Sequence, residues 1–541
     1  MAHSTTASPR AQLVEQDGIT HLFVDQRRFL VLGGELHNSS SSSGASIRDA
    51  FERIRGMNLN TVLAPVAWGQ FEPREGHYDF ALIDQLIATA RQHDVKLIPL
   101  WFGSWKNGRS TYVPSWVRGD AERFPRAEMR SGEHRECVSP FSDEIGDADA
   151  TAFAALMSHI REIDEHAGTV IMVQVENEVG ILGDTRDRSA LAEAAYTQDV
   201  PADVISALTA PHELRIRDAW AARGKQTAGS WAELFGDGPD TDEAFMAAAY
   251  ARHLEKVAAA GKAEYSLPLF ANAWLYTELY DEVAEGNPAG GQQPGVYPSG
   301  GPLPHVGSIW ASLAPSLDLF TPDIYFGDFP QICKDYQALS GGLLIPEMRR
   351  DIAGVADGFV ALGSFSAIGL SPFGIDTTEA PEGDALIDAY GCLDVLMRAT
   401  TSPPVAGFRL DEATTEQTIT LGEFSATVRR EPNRVGGFYD WGYGLVVQES
   451  EDTFLVVGRG ALLSFESPQG RAELVKVEEL KAAGDGVEVY RELNGDETES
   501  GSFIVLPSLQ TRPASDDYHI PTIRRRSGVL RFTLAHPPAA A

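Results

Sequence analysis

From about residue 29 to residue 400, short apolar runs rich in β-branched residues alternate with longer segments whose apolar positions recur every three or four residues. That alternation predicts strand-helix units wound around a parallel sheet. The strand candidates are Phe29–His37, Thr61–Trp68, Val95–Phe102, Thr169–Glu178, Leu267–Trp274, Asp318–Tyr325, Leu343–Met348 and Phe365–Phe373. Eight is the number that closes a (β/α)8 TIM barrel, an α/β fold. Between the runs, Ile47, Phe51, Ile54 and Met57 step by three or four, as do Leu82, Leu86 and Ala90, and Met246, Tyr250, Leu254 and Val257. Each helix therefore offers one apolar stripe to the sheet.

The texture divides the chain into an N-terminal extension (1–28), a barrel (29–400) and a C-terminal domain (401–541). Residues 183–236 are too many for an ordinary strand-helix loop and contain Ala-rich helical stretches, so a helical insertion beside the mouth of the barrel is expected. After Thr400 come short alternating runs with turn signals: Gln417–Leu421, Ser425–Arg429, Gly444–Gln448, Thr453–Val457, Glu473–Val477, Gly486–Glu492 and Ser502–Leu506. They predict an all-β sandwich for packing or homo-oligomerisation, with a frayed Pro/Ala tail from Arg512 to Ala541.

Charge narrows the partners. The 541 residues hold 44 Lys+Arg against 77 Asp+Glu, a formal net charge of −33. A field of that sign repels nucleic-acid phosphates and anionic lipid surfaces, while a neutral sugar is compatible with it. Cys137, Cys333 and Cys392 lie far apart without a CxxC pair, which signals neither a disulfide framework nor a zinc site. The start of the chain lacks the apolar run of a secretory signal, and no stretch of about 18 apolar residues occurs, so a cytoplasmic protein is expected. GxGxxG, Walker A and HExxH patterns are absent, and neither a metal nor an organic cofactor is expected.

Chemistry in such a barrel sits at the C-terminal ends of the strands. The fourth run, Val170-Ile-Met-Val-Gln-Val-Glu-Asn-Glu178, ends an apolar strand in Gln174, Glu176, Asn177 and Glu178. Desolvation there favours a neutral carboxyl, which suits Glu178 to general acid work. A period of two puts Glu176 and Glu178 on one side and Asn177 on the other, with strand-end twist letting Asn177 reach a ligand. Whether Glu176 is catalytic or structural stays open. The seventh run ends in Ile345-Pro-Glu347-Met-Arg-Arg350. Guanidinium groups at Arg349 and Arg350 would keep Glu347 ionised as a nucleophile. Two carboxyls with opposite pKa demands are what glycoside hydrolysis requires. Trp68, Trp101, Phe102, Trp105, Trp274, Tyr325 and Phe373 fall at strand ends, where aromatic faces can cover sugar rings. Glu35 and His37 close the first run, and His37, a possible acid/base, reads rather as a hydrogen-bonded structural or substrate-orienting side chain, because no Ser or Cys nucleophile signature accompanies it.

Gln174-Val-Glu-Asn-Glu178-Val-Gly180 resembles the QIENEYG segment of glycoside hydrolase family 35, the β-galactosidase-like family of a clan of retaining TIM-barrel glycosidases. Leu59–Trp68 with Glu72-Pro-Arg-Glu-Gly-His-Tyr-Asp-Phe80 resembles that family's second strand and EPxxGxYxF turn; Gly33-Gly-Glu-Leu-His37 resembles its SGxxHY, and Val113–Val117 its LPxWL. The resemblance spans most of residues 29–375 in order. It implies a retaining exo-β-galactosidase in which Glu178 is the acid/base and Glu347 the nucleophile, Asn177 binds a 2-hydroxyl and Tyr325 hydrogen-bonds Glu347. The nucleophile segment, the eighth strand (Gly369–Gly374) and Leu100–Asn107 depart from the family pattern, marking a divergent bacterial branch with its own C-terminal β-domain. A β-glucosidase or other β-oligosaccharide hydrolase on the same mechanism, and an inactive carbohydrate-binding protein, are the alternatives.

Overall fold

The structure is a computed structural model, and it describes residues 10–16, 18–277, 291–379, 383–433, 437–493, 495–509 and 527–537. The first nine residues of the N-terminal extension and most of the expected tail lie outside the described residues. The chain divides into two compact units. One holds the described residues of Met1–Arg55, Leu59–Met348 and Ile368–Thr377; the other holds those of Gly56–Asn58, Arg349–Ala367 and Thr378–Ala541.

The first unit is a closed barrel of eight parallel strands: β1 (Val31–Glu35), β2 (Thr61–Ala67), β3 (Lys96–Lys106), β4 (Val173–Asn177), β5 (Leu269–Trp274), β6 (Leu319–Ile324), β7 (Leu344–Met348) and β8 (Gly369–Pro372). Each strand pairs with its neighbour in sequence, and β8 closes onto β1. All eight expected strands are present. Their apolar runs are continuous because a parallel strand is buried on both faces. Helix Gly44–Arg53 starts at Ser43, whose side chain accepts from the Ser46 N–H, and buries Ile47, Ala50 and Phe51. Helix Ala81–Gln92 buries Ile83, Leu86, Ile87 and Ala90. Asp143–Asp164 and Pro239–Glu264 run together where Gly261 lets the Phe153 ring approach; a Cβ there would meet it at 2.2 Å.

The N-terminal extension and residues 183–236 both carry regular structure. The N-terminal extension forms a three-stranded antiparallel meander, Ala11–Gln16, Ile19–Val24 and Arg27–Arg28. Residues 183–236 contain four short helices, Ala190–Thr197, Ala202–Ala207, Ile216–Ala222 and Trp231–Phe235.

In the second unit, a six-stranded antiparallel sheet runs in the order Pro404–Leu410, Gly442–Gln448, Thr453–Arg459, Val529–Ala535, Glu473–Ala483, Gly486–Glu492. A second sheet joins Glu416–Leu421, Phe424–Arg430, Ala461–Ser467, Gly470–Arg471 and Ile504–Leu506. The two share a core that includes Phe408, Val428, Val446, Phe454, Phe465 and Phe532, which makes a β-sandwich. Val529–Ala535 corrects the frayed-tail expectation: the segment is an interior strand, held between Thr453–Arg459 and Glu473–Ala483. Helices Ile352–Ser364 and Asp384–Ala399 pack on the six-stranded sheet of the same unit. Among the described residues, no helix is long and apolar enough to cross a membrane.

Candidate active site

Nine polar side chains converge at the C-terminal ends of the barrel strands: Glu35 on β1, Lys106 on β3 with Asn107 after it, Asn177 and Glu178 at β4, Asn272 on β5, Asp323 and Tyr325 at β6, and Glu347 on β7. Oxygens of Glu178, Asp323 and Glu347 lie within 4.8 Å of one another, and all three residues are buried. Glu347 accepts from Tyr325 Oη at 2.9 Å and from Asn177 Nδ2 at 3.3 Å. The Lys106 ammonium donates to Asn177 Oδ1 at 2.9 Å, and Asn107 Nδ2 donates to Glu178 Oε2. Asn272 joins two strands, accepting from the Glu178 N–H at 2.9 Å and donating to Asp323 Oδ2 at 2.7 Å.

The electrostatics of the cluster act strongly on Glu178. Burial, then the charge of Glu347, push Glu178 up to about 7, against the pull of Lys106 and the hydrogen bond from Asn107. Burial would lower Lys106, but Glu347, Glu178, Glu35 and Asp323 together hold it above the usual lysine range. Glu35 and Asp323 are both held well above the carboxyl range by burial first and by the neighbouring carboxylates second. Arg349, expected to hold Glu347 charged, pairs with Asp351. Among the described residues, Lys106 is a cation whose charge acts on Glu35 and Glu178.

The end of β4 departs from strand geometry at Glu176 and Glu178. Glu176 and Glu178 have positive φ, 62° and 48°, a conformation non-glycine residues rarely adopt. The pleat is broken, so the two glutamates do not share a side. Glu176 turns under the end of β3, where its carboxyl accepts from the Ser104 N–H at 3.0 Å and the Trp105 N–H at 2.7 Å. The β3–β4 register shifts between Trp101 and Lys106, leaving Phe102–Trp105 as extra length that Glu176 holds in place. Only glycine fits at 103, where a Cβ would lie 2.5 Å from Glu176 Oε1. Burial and then Asp149 raise the Glu176 carboxyl well above its usual range, and Asp149 is itself held by Trp101 Nε1, Ser104 and His253. This bracing sets Lys106 and Asn107 at the mouth.

The aromatic candidates fall into two groups. Trp101 and Trp105 are fully buried, with ring nitrogens bonded to Asp149 and to the Val138 carbonyl, so both serve the wall beneath the site. Tyr325, Trp274, Phe373 and His37 are half-buried. Trp274 Nε1 is buried without a partner. His37 packs on Phe373 at 5.1 Å between ring centroids and is oriented by Asp376 Oδ1 at 2.9 Å from Nδ1. Below the mouth, the Glu72-Pro-Arg-Glu-Gly76 turn is closed by Glu72, which accepts from the Gly76 N–H and from Trp68 Nε1, both at 2.7 Å. Sequence reading missed Lys106, Asn107, Asn272 and Asp323; their one available signal is a polar residue at the end of an apolar strand.

Residues 21–232 match the model of glycosyl hydrolases family 35, and residues 390–505 match a domain of unknown function, DUF5597. A β-galactosidase of Xanthomonas manihotis is 26% identical over 186 residues, a stretch that is 33% of this chain and 28% of that protein. Beta-galactosidase 17 of Arabidopsis thaliana is 26% identical over 171 residues, 30% of this chain and 22% of that protein. The chain thus spans little more than a quarter of these curated relatives at most. Among solved structures, the catalytic domain of a β-amylase from Paenibacillus polymyxa has a TM-score of 0.45 at 13% identity, covering 66% of this chain and 96% of that one. A β-galactosidase from the psychrophilic Marinomonas ef1 has a TM-score of 0.44 at 13% identity, covering 67% and 59%.

Proposed function

We propose that this chain, related to glycosyl hydrolases family 35 through residues 21–232, is a retaining exo-β-glycosidase that releases terminal β-linked galactose. The observation that carries the reading is the pair Glu178 and Glu347, whose carboxyl oxygens approach within 4.8 Å across the barrel mouth. Retaining enzymes hold their two carboxyls about 5 to 5.5 Å apart, whereas inverting enzymes need roughly 6.5 to 9.5 Å to admit a water.

Glu178, with its carboxyl pushed up to about 7, carries a proton near neutrality and gives it to the departing glycosidic oxygen. Glu347, positioned by Tyr325 and Asn177, attacks the anomeric carbon and forms a glycosyl-enzyme. Once ionised, Glu178 removes a proton from the water that hydrolyses this intermediate. Asn177 bridges Lys106 and Glu347 and serves the hydroxyl next to the anomeric carbon. Glu35 shapes the charge of the cluster, while His37, Trp274 and Phe373 border the sugar and Trp101 and Trp105 support the wall. The names of the curated relatives favour galactose; a β-glucoside is the second choice, since Leu100–Asn107 departs from the family pattern. The buried thiols Cys137, Cys333 and Cys392 are compatible with a reducing, cytoplasmic compartment.

A panel of aryl β-glycosides, with the anomer of the first product read by NMR, tests the reading. Hydrolysis of the galactoside with retention is expected, and Glu178→Gln should lower turnover of substrates with poor leaving groups at least about a thousandfold. Hydrolysis of glucosides but not galactosides would move the substrate to glucose. An unchanged rate in Glu178→Gln would sink the assignment.

A further inference from the structure

Asp323 has one oxygen that its surroundings leave unanswered. The residue is 4% exposed, and its Oδ2 accepts from Asn272 Nδ2 at 2.7 Å. Its Oδ1 is buried and receives no hydrogen bond, and one oxygen of this carboxyl lies within 4.8 Å of oxygens of Glu178 and Glu347. An ionised Asp323 would leave a buried acceptor without a donor in a carboxyl that neighbours two others, an arrangement that buried groups avoid. A proton on Oδ1 removes the conflict, because it turns an orphan acceptor into a donor. Both oxygens of Glu347 already receive donors, from Asn177 and Tyr325, whereas Asn107 occupies only Oε2 of Glu178. Glu178 is therefore the acceptor that remains.

We propose that Asp323 is a neutral carboxylic acid whose hydroxyl donates to Glu178, closing a ring of three hydrogen bonds across β4, β5 and β6. The ring runs from the Glu178 N–H to Asn272 Oδ1, from Asn272 Nδ2 to Asp323 Oδ2, and from Asp323 Oδ1 back to the Glu178 carboxyl. It rests on the reading of Glu178 as the acid/base, and in it Asp323 is a positioning residue. When Glu178 passes its proton to the departing oxygen, it becomes a carboxylate and the bond from Asp323 becomes charge-assisted. Asp323 keeps its proton throughout. In the second half-reaction the proton taken from water returns to Glu178, and the ring is as it began. The direction of the Asp323 carboxyl, held well above its usual range by burial and then by Glu347, Glu178 and Glu35, agrees with the geometry. The other groups acting on Glu178 are Glu347 and Lys106, with Asn107 at its second oxygen.

The test is the basic limb of the kcat/KM profile, together with the infrared spectrum. In Asp323→Asn the amide oxygen can accept from Asn272 and the amide N–H can donate to Glu178, so the limb is expected to stay within about half a pH unit of the parent. In Asp323→Ala the ionised Glu178 loses a donor, and the limb should move up by about one pH unit. Were Asp323 ionised in the parent, Asp323→Asn would delete a negative charge beside Glu178 and drop the limb by about one unit or more; that outcome overturns the proposal. The infrared difference between the parent and Asp323→Asn at neutral pH should show the C=O stretch of a protonated carboxyl, and its absence also overturns it. Repeating the difference in a Glu178→Gln background requires no turnover. A missing glycosidase activity therefore defeats the functional reading, while a missing carboxyl band defeats this one. Should Asp323→Ala fail to fold, the near-isosteric Asn variant decides the matter.

Discussion

Glu178 carries a cost that its chemistry requires. Its carboxyl titrates near 7 in the fold, against about 4.3 in an unfolded chain. Between those values the folded state binds the extra proton, so its contribution is fully present below about pH 4.3 and is lost as pH rises through 7. At pH 8 the ionised group costs about 3 kcal/mol, with little solvent discount at 6% exposure. Glu178→Gln keeps the neutral shape and an oxygen for Asn107, so it should be more stable than the parent at pH 8, by a few degrees in Tm. The gain should fall to about a third by pH 5 and vanish only below about pH 4.3, where the carboxyl is protonated in both the folded and the unfolded chain. Thermal unfolding of the two proteins at both pH values checks this, and a variant less stable than the parent at pH 8 would contradict the titration. Lys106 belongs to the same balance: a buried ammonium near four carboxyls, it offsets the charge of Glu347.

At the scale of elements, the final strand gives the clearest expectation. Val529, Leu530, Phe532 and Leu534 are each at most 2% exposed, and full burial of such side chains contributes about 1.5 to 3 kcal/mol apiece. Their sum is of the order of a whole domain's stability, roughly 5 to 15 kcal/mol. A chain ending at Ser527 should therefore lose the cooperative unfolding of its sandwich, as seen by calorimetry; retention of the parent transition would show that the strand is dispensable. That strand escaped sequence reading because its alternation is brief and sits inside a Pro/Ala-rich tail. The barrel strands were legible for the opposite reason, since each is a continuous apolar run buried on both faces. Strand ends were legible in kind and not in direction. Alternation placed Glu176 beside Glu178, but both have positive φ, with Glu176 bonded to the Ser104 and Trp105 N–H groups and Glu178 to Asn107 and Asn272, tertiary bonds that no local pattern encodes. Asp323 sat inside the sixth strand candidate, Asp318–Tyr325, where no local pattern sets its carboxyl apart, and Lys106 lay beyond the end given to the third strand.

The division of the whole chain follows packing and not texture. The six-stranded sheet is apolar on both faces: Val446, Phe454 and Val456 point into the sandwich, so by the period of two Tyr443, Leu445, Val447, Leu455 and Val457 point the other way, each at most 1% exposed. The helices Ile352–Ser364 and Asp384–Ala399 cover that second face, with Phe359 against Tyr443 at 5.1 Å and Arg459 bound to Asp388 at 2.7 Å. Gly363 and Gly407 permit the contact, since a Cβ on Gly363 would lie 2.3 Å from the Gly407 nitrogen. A fragment of residues 401–541, the module that texture suggests, would expose five large apolar side chains, a loss of several kcal/mol at about 1.5 to 3 each. It should be molten, bind a hydrophobic dye and unfold without a heat-absorption peak. A fragment of residues 349–541 restores both helices and should unfold cooperatively. Equal behaviour of the two fragments would refute the claim that these helices belong to the sandwich, because only the longer one supplies the missing layer.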